Sequence, residues 1–193
     1  MNYLAHLFLS CESIELMVGN FITDQITLKE AKEFSGRISE GIELHKSIDS
    51  FTDNHPVIKD FISFIRPTQG KYSPVVVDVY CDYLLYSSWD QYSHWEFTHF
   101  EDLVYENLLS QKDVMPDRIQ QRVINMVKSR WLQVYTHQAG MTDTFRRIGH
   151  RVKFDNQLSE ATSFLFENKE TCQEYFNQFF PDLINHVNAI CEC

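Results

Sequence analysis

Turn-forming residues are scarce in this chain, and that scarcity constrains its fold more than any other feature. The 193 residues include only 6 glycines and 5 prolines. A sandwich of many short strands needs tight turns at short intervals, so this composition disfavours that class and favours long helices. The length is that of one domain with a substantial core. We therefore predict an all-α protein, a single-domain helical bundle over residues 1–193.

Apolar residues recur at helical spacing along most of the chain. Residues 13–27, for example, carry their apolar side chains on a single stripe. Residues 75–89 also fit a strand, but the length of the segment and the carboxylates within it favour a helix. The predicted helices cover residues 1–10, 13–27, 36–51, 57–66, 75–89, 96–109, 116–135, 142–151, 157–167 and 170–190.

The charge and the cysteines limit the classes of partner. A formal net charge of −10 disfavours nucleic-acid binding, which depends on neutralising phosphates with basic residues. We find no signal peptide and no run of about 20 apolar residues, so we predict no membrane contact and a cytoplasmic location. The 5 cysteines are widely spread without a CxxC pair, which favours free thiols. Nothing in the sequence sets the oligomeric state.

The segment most suggestive of a reactive site is GIELHKSIDSFTDNHP, residues 41–56. His45 and Asp49 are four residues apart, so on a helix they share one face. An imidazole and a carboxylate on one face can hold a divalent metal and the water that it activates. A hydrogen bond between the two side chains, without a metal, explains this pair alone equally well.

Two further pairs repeat this kind of chemistry. Asp53 and His55 follow in the same segment, although Asp53 also suits the cap of the helix that a proline at position 56 begins. Asp78 and Asp82 repeat the four-residue spacing among apolar residues, where ionised carboxylates are costly unless they are paired or bind a cation. The repeated spacing predicts a metal site between helices.

His6 and Asp24 complete the set of candidate ligands. His6 lies in the apolar turn YLAHLF, and Asp24 closes the segment GNFITD. Each has a simpler explanation when taken alone, namely a core histidine bonded to a carbonyl and an acid that caps the next turn. An acid at an apolar helix end nevertheless needs a partner, and a metal is one such partner.

One dense basic run stands out in this acidic chain, residues 146–153 (RRIGHRVK). Cations are favourable near the C-terminus of a helix, so a solvated helix end is one explanation. A docking surface for an acidic partner is the other.

Four of these segments together resemble the acyl carrier protein phosphodiesterase family. They are residues 1–7 (MNYLAHL), 19–24 (GNFITD), 41–56 and 77–85 (VDVYCDYLL), followed by Trp89. The resemblance covers roughly the first half of the chain and implies a helical, HD-domain-like fold. It implies an enzyme of fatty acid biosynthesis that removes 4′-phosphopantetheine from a serine of holo-acyl carrier protein. The implied cofactor is a divalent metal, manganese first and magnesium as the alternative, and the implied partner is acyl carrier protein.

Together, the residues and the resemblance give a full set of predicted roles. His6, Asp24, His45, Asp78 and Asp82 are the predicted metal ligands, and His45, Asp49 and Asp53 are the predicted catalytic residues. The predicted substrate-binding residues are Asn20, His55, Arg66, Tyr83, Arg147 and Arg151.

Two departures from the family pattern keep alternatives open. The chain has no contiguous His-Asp dyad, and Tyr83 stands where the family often has histidine. One alternative is an HD-like phosphohydrolase that acts on a nucleotide or another small phosphoester. The other is a helical interaction protein with impaired catalysis.

Overall fold

The fold is helical throughout the part of the chain that the structure describes, residues 2–191. The structure is a computed structural model, and it contains no strand within that range. The all-α prediction is confirmed, whereas the likeness to HD domains stays a prediction. Short 3₁₀ turns join several of the α-helices. The α-helices are α1 (Tyr3–Phe8), α2 (Ile14–Ile22), α3 (Leu28–Ala31), α4 (Gly36–Asn54), α5 (Pro56–Gln69), α6 (Ser73–Ser87), α7 (Trp89–Tyr92), α8 (Phe97–Ser110), α9 (Asp117–Lys128), α10 (Gln138–Arg151), α11 (Ala161–Glu167) and α12 (Lys169–Cys191).

The single helix predicted over residues 116–135 is wrong. α9 ends before Arg130, which adopts a left-handed conformation with φ of 47°. That conformation is uncommon for residues other than glycine, and here the carboxylates of Glu101 and Asp102 hold the Arg130 guanidinium. A 3₁₀ turn, Trp131–Tyr135, follows in place of a continued helix.

α2 and α4 approach so closely that their backbones touch at two glycines. A Cβ atom on Gly19 would lie 2.1 Å from the Ile38 carbonyl oxygen, and one on Gly41 would lie 2.3 Å from the Leu16 carbonyl oxygen. No side chain fits at either position without moving a backbone, so this crossing depends on glycine. The crossing thereby brings Asn20, the residue after Gly19, close to His45, which lies one turn beyond Gly41.

α6 is the central helix of the bundle, which explains why its sequence lacks a clear amphipathic pattern. Ten of its 15 residues are buried, and it packs against α1, α5, α10 and α12. The Tyr80 hydroxyl donates a hydrogen bond to the Ala161 carbonyl oxygen at the start of α11. The choice of helix over strand for this segment is therefore confirmed.

A buried carboxylate fixes the N-terminus of the short helix α1. The backbone N–H groups of Leu4 and Ala5 donate to Asp82 Oδ2 and Oδ1 at 3.0 and 3.1 Å. The first N–H groups of a helix have no partner within it, and their partial positive charge favours an anion. Asp82 thus ties α1 to the central helix and sets the position of His6 one turn further on.

The fold also bears on two expectations from composition. No α-helix within residues 2–191 is long and apolar enough to cross a membrane.

Cys81, Cys172 and Cys191 are free thiols, as predicted. Cys11 is disulfide-bonded, so the prediction of free thiols throughout is wrong for that residue. Spacing along the sequence does not reveal which cysteines the fold brings together.

Candidate metal centre

Two histidines from distant parts of the chain face each other where α1, α2 and α4 meet. His6 and His45 stack with ring centroids 4.0 Å apart and planes 13° from parallel, and each residue is only 4% exposed. Asp49 lies one turn after His45 on α4, and Asp24 lies in the 3₁₀ turn that follows α2. The glycine contact between α2 and α4 and the anchored end of α1 position this cluster.

Asn20 holds both imidazole rings by their Nδ1 atoms. Its Nδ2 donates to the His6 carbonyl oxygen at 2.7 Å and to Ser10 Oγ at 3.1 Å, which fixes Oδ1 as the acceptor. Oδ1 lies 2.8 Å from His6 Nδ1 and 3.0 Å from His45 Nδ1, and the Asn20 carbonyl oxygen lies 2.8 Å from His45 Nδ1. Such an oxygen only accepts, so each Nδ1 must carry a proton.

The two Nε2 atoms face carboxylates without making hydrogen bonds. His6 Nε2 lies 3.2 Å from Asp49 Oδ1, and His45 Nε2 lies 3.2 Å from Asp24 Oδ1 and from Asp49 Oδ2. Both nitrogens are buried, and neither has a hydrogen-bond partner of acceptable geometry within residues 2–191. A carboxylate that faces the lone pair of a neutral imidazole nitrogen is unfavourable, and a proton or a metal cation between the two removes that cost.

Burial and mutual attraction set the charges of this cluster. Burial lowers the pKa of His6 to about 4, so its ring is neutral at pH 7. Burial also lowers the pKa of His45, but Asp24 and Asp49 outweigh it and raise that pKa to about 9. His45 in turn lowers the pKa of Asp24. Burial opposes ionisation of Asp49, yet His45 and His6 hold its pKa well below the usual range. Both carboxylates are therefore ionised at neutral pH.

These groups fit a divalent transition-metal ion. Ligand atoms of His6, His45 and Asp49 lie within 4.8 Å of one another, and two ligands of one ion at about 2.0–2.2 Å lie roughly 3–4 Å apart. Small side-chain shifts therefore bring all three onto one ion. Imidazole nitrogen mixed with carboxylate oxygen suits manganese, iron or zinc better than calcium. The side chains of Asp24 and Asp49 are 66% and 41% exposed, so the cluster opens to solvent on their side.

Metal affinity should rise with pH, because an ion must displace the proton of His45. With pKa values of about 9 for His45 and about 4 for His6, one proton leaves per ion bound between about pH 5 and 8. The apparent association constant should rise about tenfold per pH unit and level off near pH 9. Competition with a chelator of known proton affinity measures the slope, and a pH-independent constant would contradict the protonation of His45.

The same proton is linked to the stability of the metal-free fold. The pKa of His45 is raised from an ordinary value of 6.5 to about 9 in the folded protein. The stabilisation from its proton is therefore fully present below about pH 6.5 and is lost as the pH rises through about 9.

Replacing Asn20 with leucine should weaken metal binding without removing a ligand. Leucine has a similar volume but removes the side-chain oxygen that both Nδ1–H groups share, so the His6 ring loses its acceptor and the His45 ring keeps only the backbone carbonyl oxygen of residue 20. We expect metal affinity to fall by about 10–100-fold, as for other groups that orient metal ligands. Asn20→Asp retains an acceptor oxygen and should retain more affinity. Unchanged affinity in a folded Asn20→Leu variant would show that Asn20 does not orient the histidines.

Comparison with known proteins identifies the family. The sequence profile described as "Acyl carrier protein phosphodiesterase" matches residues 1–183. The chain belongs to the acyl carrier protein phosphodiesterase family. The resemblance inferred from the first half of the sequence is thereby confirmed and extends through most of the second half.

Curated members of the acyl carrier protein phosphodiesterase family match the chain over almost its whole length at modest identity. The chain is 24% identical to the acyl carrier protein phosphodiesterase of Yersinia pestis over 188 residues, which cover 97% of each chain. It is 25% identical to that of Pectobacterium atrosepticum over 185 residues, 95% of this chain and 96% of the relative. For Escherichia coli O6:H1 the identity is 24% over 193 residues, 97% and 98% of the two chains. No solved structure gives a significant match.

In this family member the structure brings together four predicted site residues, His6, Asp24, His45 and Asp49. Asp53 is exposed one turn beyond Asp49 on α4. Burial raises the pKa of Asp78 on α6, and the negative charges of Asp49 and Asp53 act in the same direction. Asp78 therefore lies within electrostatic range of the cluster.

Two predicted residues of α6 have other partners. Both carboxylate oxygens of Asp82 accept N–H groups of α1, and the residue is fully buried, so we do not include it among the proposed ligands. Tyr83 faces elsewhere, with its ring 5.2 Å from that of Phe166 and the Lys169 Nζ atom 5.4 Å from its centroid. Within residues 2–191, Tyr83 makes none of the contacts that join His6, Asp24, His45 and Asp49.

The predicted substrate-binding residues have different surroundings. Asn20 is fully buried and orients the histidines, so it is not placed to contact a substrate. His55 packs against α12, with Nε2 3.3 Å from Asp182 Oδ2 and its ring 5.0 Å from that of Phe179. Arg66 is exposed in the last turn of α5. These placements differ because closeness in sequence to a reactive segment does not fix the direction of a side chain.

The basic residues of α10 are placed differently from one another. Arg146 pairs with Asp143 at 2.8 Å, whereas Arg147 and Arg151 are exposed. The charge of Arg151 lowers the pKa of Tyr3, which burial raises, so Arg151 lies within electrostatic range of Tyr3.

Proposed function

We propose that this protein removes 4′-phosphopantetheine from holo-acyl carrier protein by metal-dependent hydrolysis of a phosphodiester. One observation carries the proposal: in a member of the acyl carrier protein phosphodiesterase family, the Nε2 atoms of two buried histidines converge on Asp49. The names of the curated relatives support the same activity.

The proposed reaction transfers the phosphoryl group from serine to water. A new bond forms between the water oxygen and phosphorus, and the bond between phosphorus and the serine oxygen breaks. The serine oxygen takes up a proton, and phosphopantetheine leaves as a phosphate monoester. A bound manganese or magnesium ion would polarise the phosphoryl oxygens and make its water more acidic. His6, His45 and Asp49 would hold that ion, with Asp24 at the rim.

Carboxylates beside the ligands are suited to the proton transfers. Burial raises the pKa of Asp78, and a carboxyl group that exchanges its proton nearer to neutral pH is a better general acid or base. We therefore propose that Asp78 donates the proton that the leaving serine oxygen takes up. Asp53, exposed near Asp78, is the candidate for orienting the attacking water.

The proposed partner, acyl carrier protein, is acidic, and this chain also carries a net charge of −10. Docking must therefore use local basic groups, because like charges repel at long range. We propose that Arg147 and Arg151 on α10 contact the carrier. The cytoplasmic location predicted from the sequence remains part of the proposal.

Incubation with holo-acyl carrier protein and manganese in ¹⁸O-labelled water tests the proposed function. Mass spectrometry should show the carrier in its apo form without label, and phosphopantetheine with one labelled oxygen. Label in the serine would indicate attack at carbon instead. Release of phosphate from nucleotides, with holo-carrier unchanged, would favour the alternative of a small-phosphoester hydrolase. A chelator should stop the reaction, and manganese should restore it.

A further inference from the structure

An arginine outside all the sequence motifs is bonded to Tyr3, which lines the cavity of the candidate metal centre. Arg122 on α9 donates from Nη2 to the Tyr3 hydroxyl at 3.1 Å. Its guanidinium carbon lies 5.6 Å from the Tyr3 ring centroid and 5.4 Å from that of Trp131. The two rings are 4.8 Å apart. The guanidinium is therefore held by two aromatic side chains, which limits its freedom while leaving it exposed.

Tyr3 connects this arginine to the cluster. The Tyr3 side chain lines the same small cavity as His6, Asp24 and His45. Burial raises the pKa of Tyr3, Arg122 lowers it, and Asp24 raises it again. One tyrosine thus lies within reach of both the arginine and a carboxylate of the cluster.

Arg122 differs from the neighbouring arginines in having no ion-pair partner within residues 2–191. Arg118, one turn earlier on α9, pairs with Glu30, and Arg130, just beyond α9, pairs with Glu101 and Asp102. No carboxylate within residues 2–191 pairs with Arg122 at ion-pair distance. Its charge is therefore not neutralised, although it lies near an acidic cluster.

We propose that Arg122 binds the phosphodiester of the substrate at the metal centre. This inference rests on the proposed function and names a residue that the sequence motifs do not include. A phosphodiester anion is repelled by Asp24 and Asp49, and a permanent cation at the rim offsets that repulsion. The planar guanidinium also presents N–H donors in a fork that matches two phosphate oxygens.

Binding of inorganic phosphate to the manganese-loaded protein tests the inference without turnover. Calorimetry should show that Arg122→Gln weakens phosphate binding by about 10–100-fold, the loss expected for a charged hydrogen bond. Arg122→Lys keeps the positive charge but lacks the forked donors of guanidinium. Its affinity for phosphate should lie between those of the unaltered protein and Arg122→Gln. Arg118→Gln, on the same helix, is the matched control and should bind phosphate like the unaltered protein. Equal binding by Arg122→Gln and Arg118→Gln, with normal manganese content, would overturn the inference.

Turnover separates phosphate binding from docking of the carrier. Arg122→Gln should lower kcat/KM by a similar factor for holo-carrier and for a small phosphodiester such as bis-p-nitrophenyl phosphate. Arg147→Glu should affect only the carrier, and its effect should shrink at high salt. A loss by Arg122→Gln confined to the carrier would contradict the inference. If the unaltered protein leaves holo-carrier intact, the proposed function fails, whereas the phosphate titration still decides the role of Arg122.

Discussion

His45→Ala should bind no manganese at the cluster and should lose turnover altogether. His45 Nε2 lies 3.2 Å from both Asp24 and Asp49, so its loss removes a ligand and leaves these two carboxylates without their shared partner. Loss of a ligand removes both the charge that polarises phosphate and the activated water. The fall in affinity should exceed the roughly 10–100-fold typical of residues that only orient ligands. Metal content after dialysis and release of phosphopantetheine measure the two losses.

A matched histidine and a double variant complete this experiment. His94 is exposed and lies outside the cluster, so His94→Ala should keep full metal content and turnover. His6→Ala should resemble His45→Ala, and the double variant should be little worse than either, because both residues serve one ion. Near-full activity of His45→Ala with normal metal content would refute the assignment.

Gly41→Ala should strongly destabilise the bundle. The added Cβ would lie 2.3 Å from the Leu16 carbonyl oxygen and 2.9 Å from Gly19 Cα. These are backbone atoms, so α2 and α4 must separate. We expect a loss of about 3 kcal/mol or more in the free energy of unfolding, at or beyond the upper end for overpacked cores. Denaturant unfolding at fixed pH and metal concentration measures it.

Gly149 is the control for this substitution. A Cβ there would meet the Asn156 side chain at 3.1 Å, which can move, and Leu158 Cβ at an ordinary contact distance of 3.8 Å. Replacing a helical glycine with alanine often stabilises a protein. Gly149→Ala should therefore be neutral or slightly stabilising. A folded Gly41→Ala protein should also bind metal more weakly, because the same crossing sets the distance between Asn20 and His45. Equal stability of the two variants would show that α2 and α4 are not tightly apposed.

The helical class and half of the metal centre were predictable from local patterns. Scarce glycine and proline indicate long helices, and the spacing of His45 and Asp49 places them on one face of α4. The central helix α6 was harder to recognise. It is apolar on nearly all sides, so the spacing of its apolar residues does not distinguish a helix from a strand. The left-handed Arg130 was not predictable, since its conformation depends on Glu101 and Asp102 from another helix.

The remaining parts of the site depend on tertiary contacts that no local pattern contains. Asp82 has the spacing of a ligand, but the end of α1 supplies N–H donors for both of its oxygens. Asn20 was predicted to bind substrate, and its hydrogen bonds to His6 and His45, which only the folded structure reveals, orient the two rings. No sequence pattern pointed to Arg122. Its surroundings form only in the folded protein, where the turn after α9 brings Trp131 beside Tyr3.

A crystal structure of the manganese-loaded protein, with an anomalous difference map for manganese, tests the central claim most directly. The claim predicts a single strong peak about 2.0–2.3 Å from His6 Nε2, His45 Nε2 and an Asp49 oxygen, with Asn20 still bonded to both Nδ1 atoms. An active, manganese-dependent protein whose ion lies elsewhere, with both Nε2 atoms uncoordinated, would contradict it.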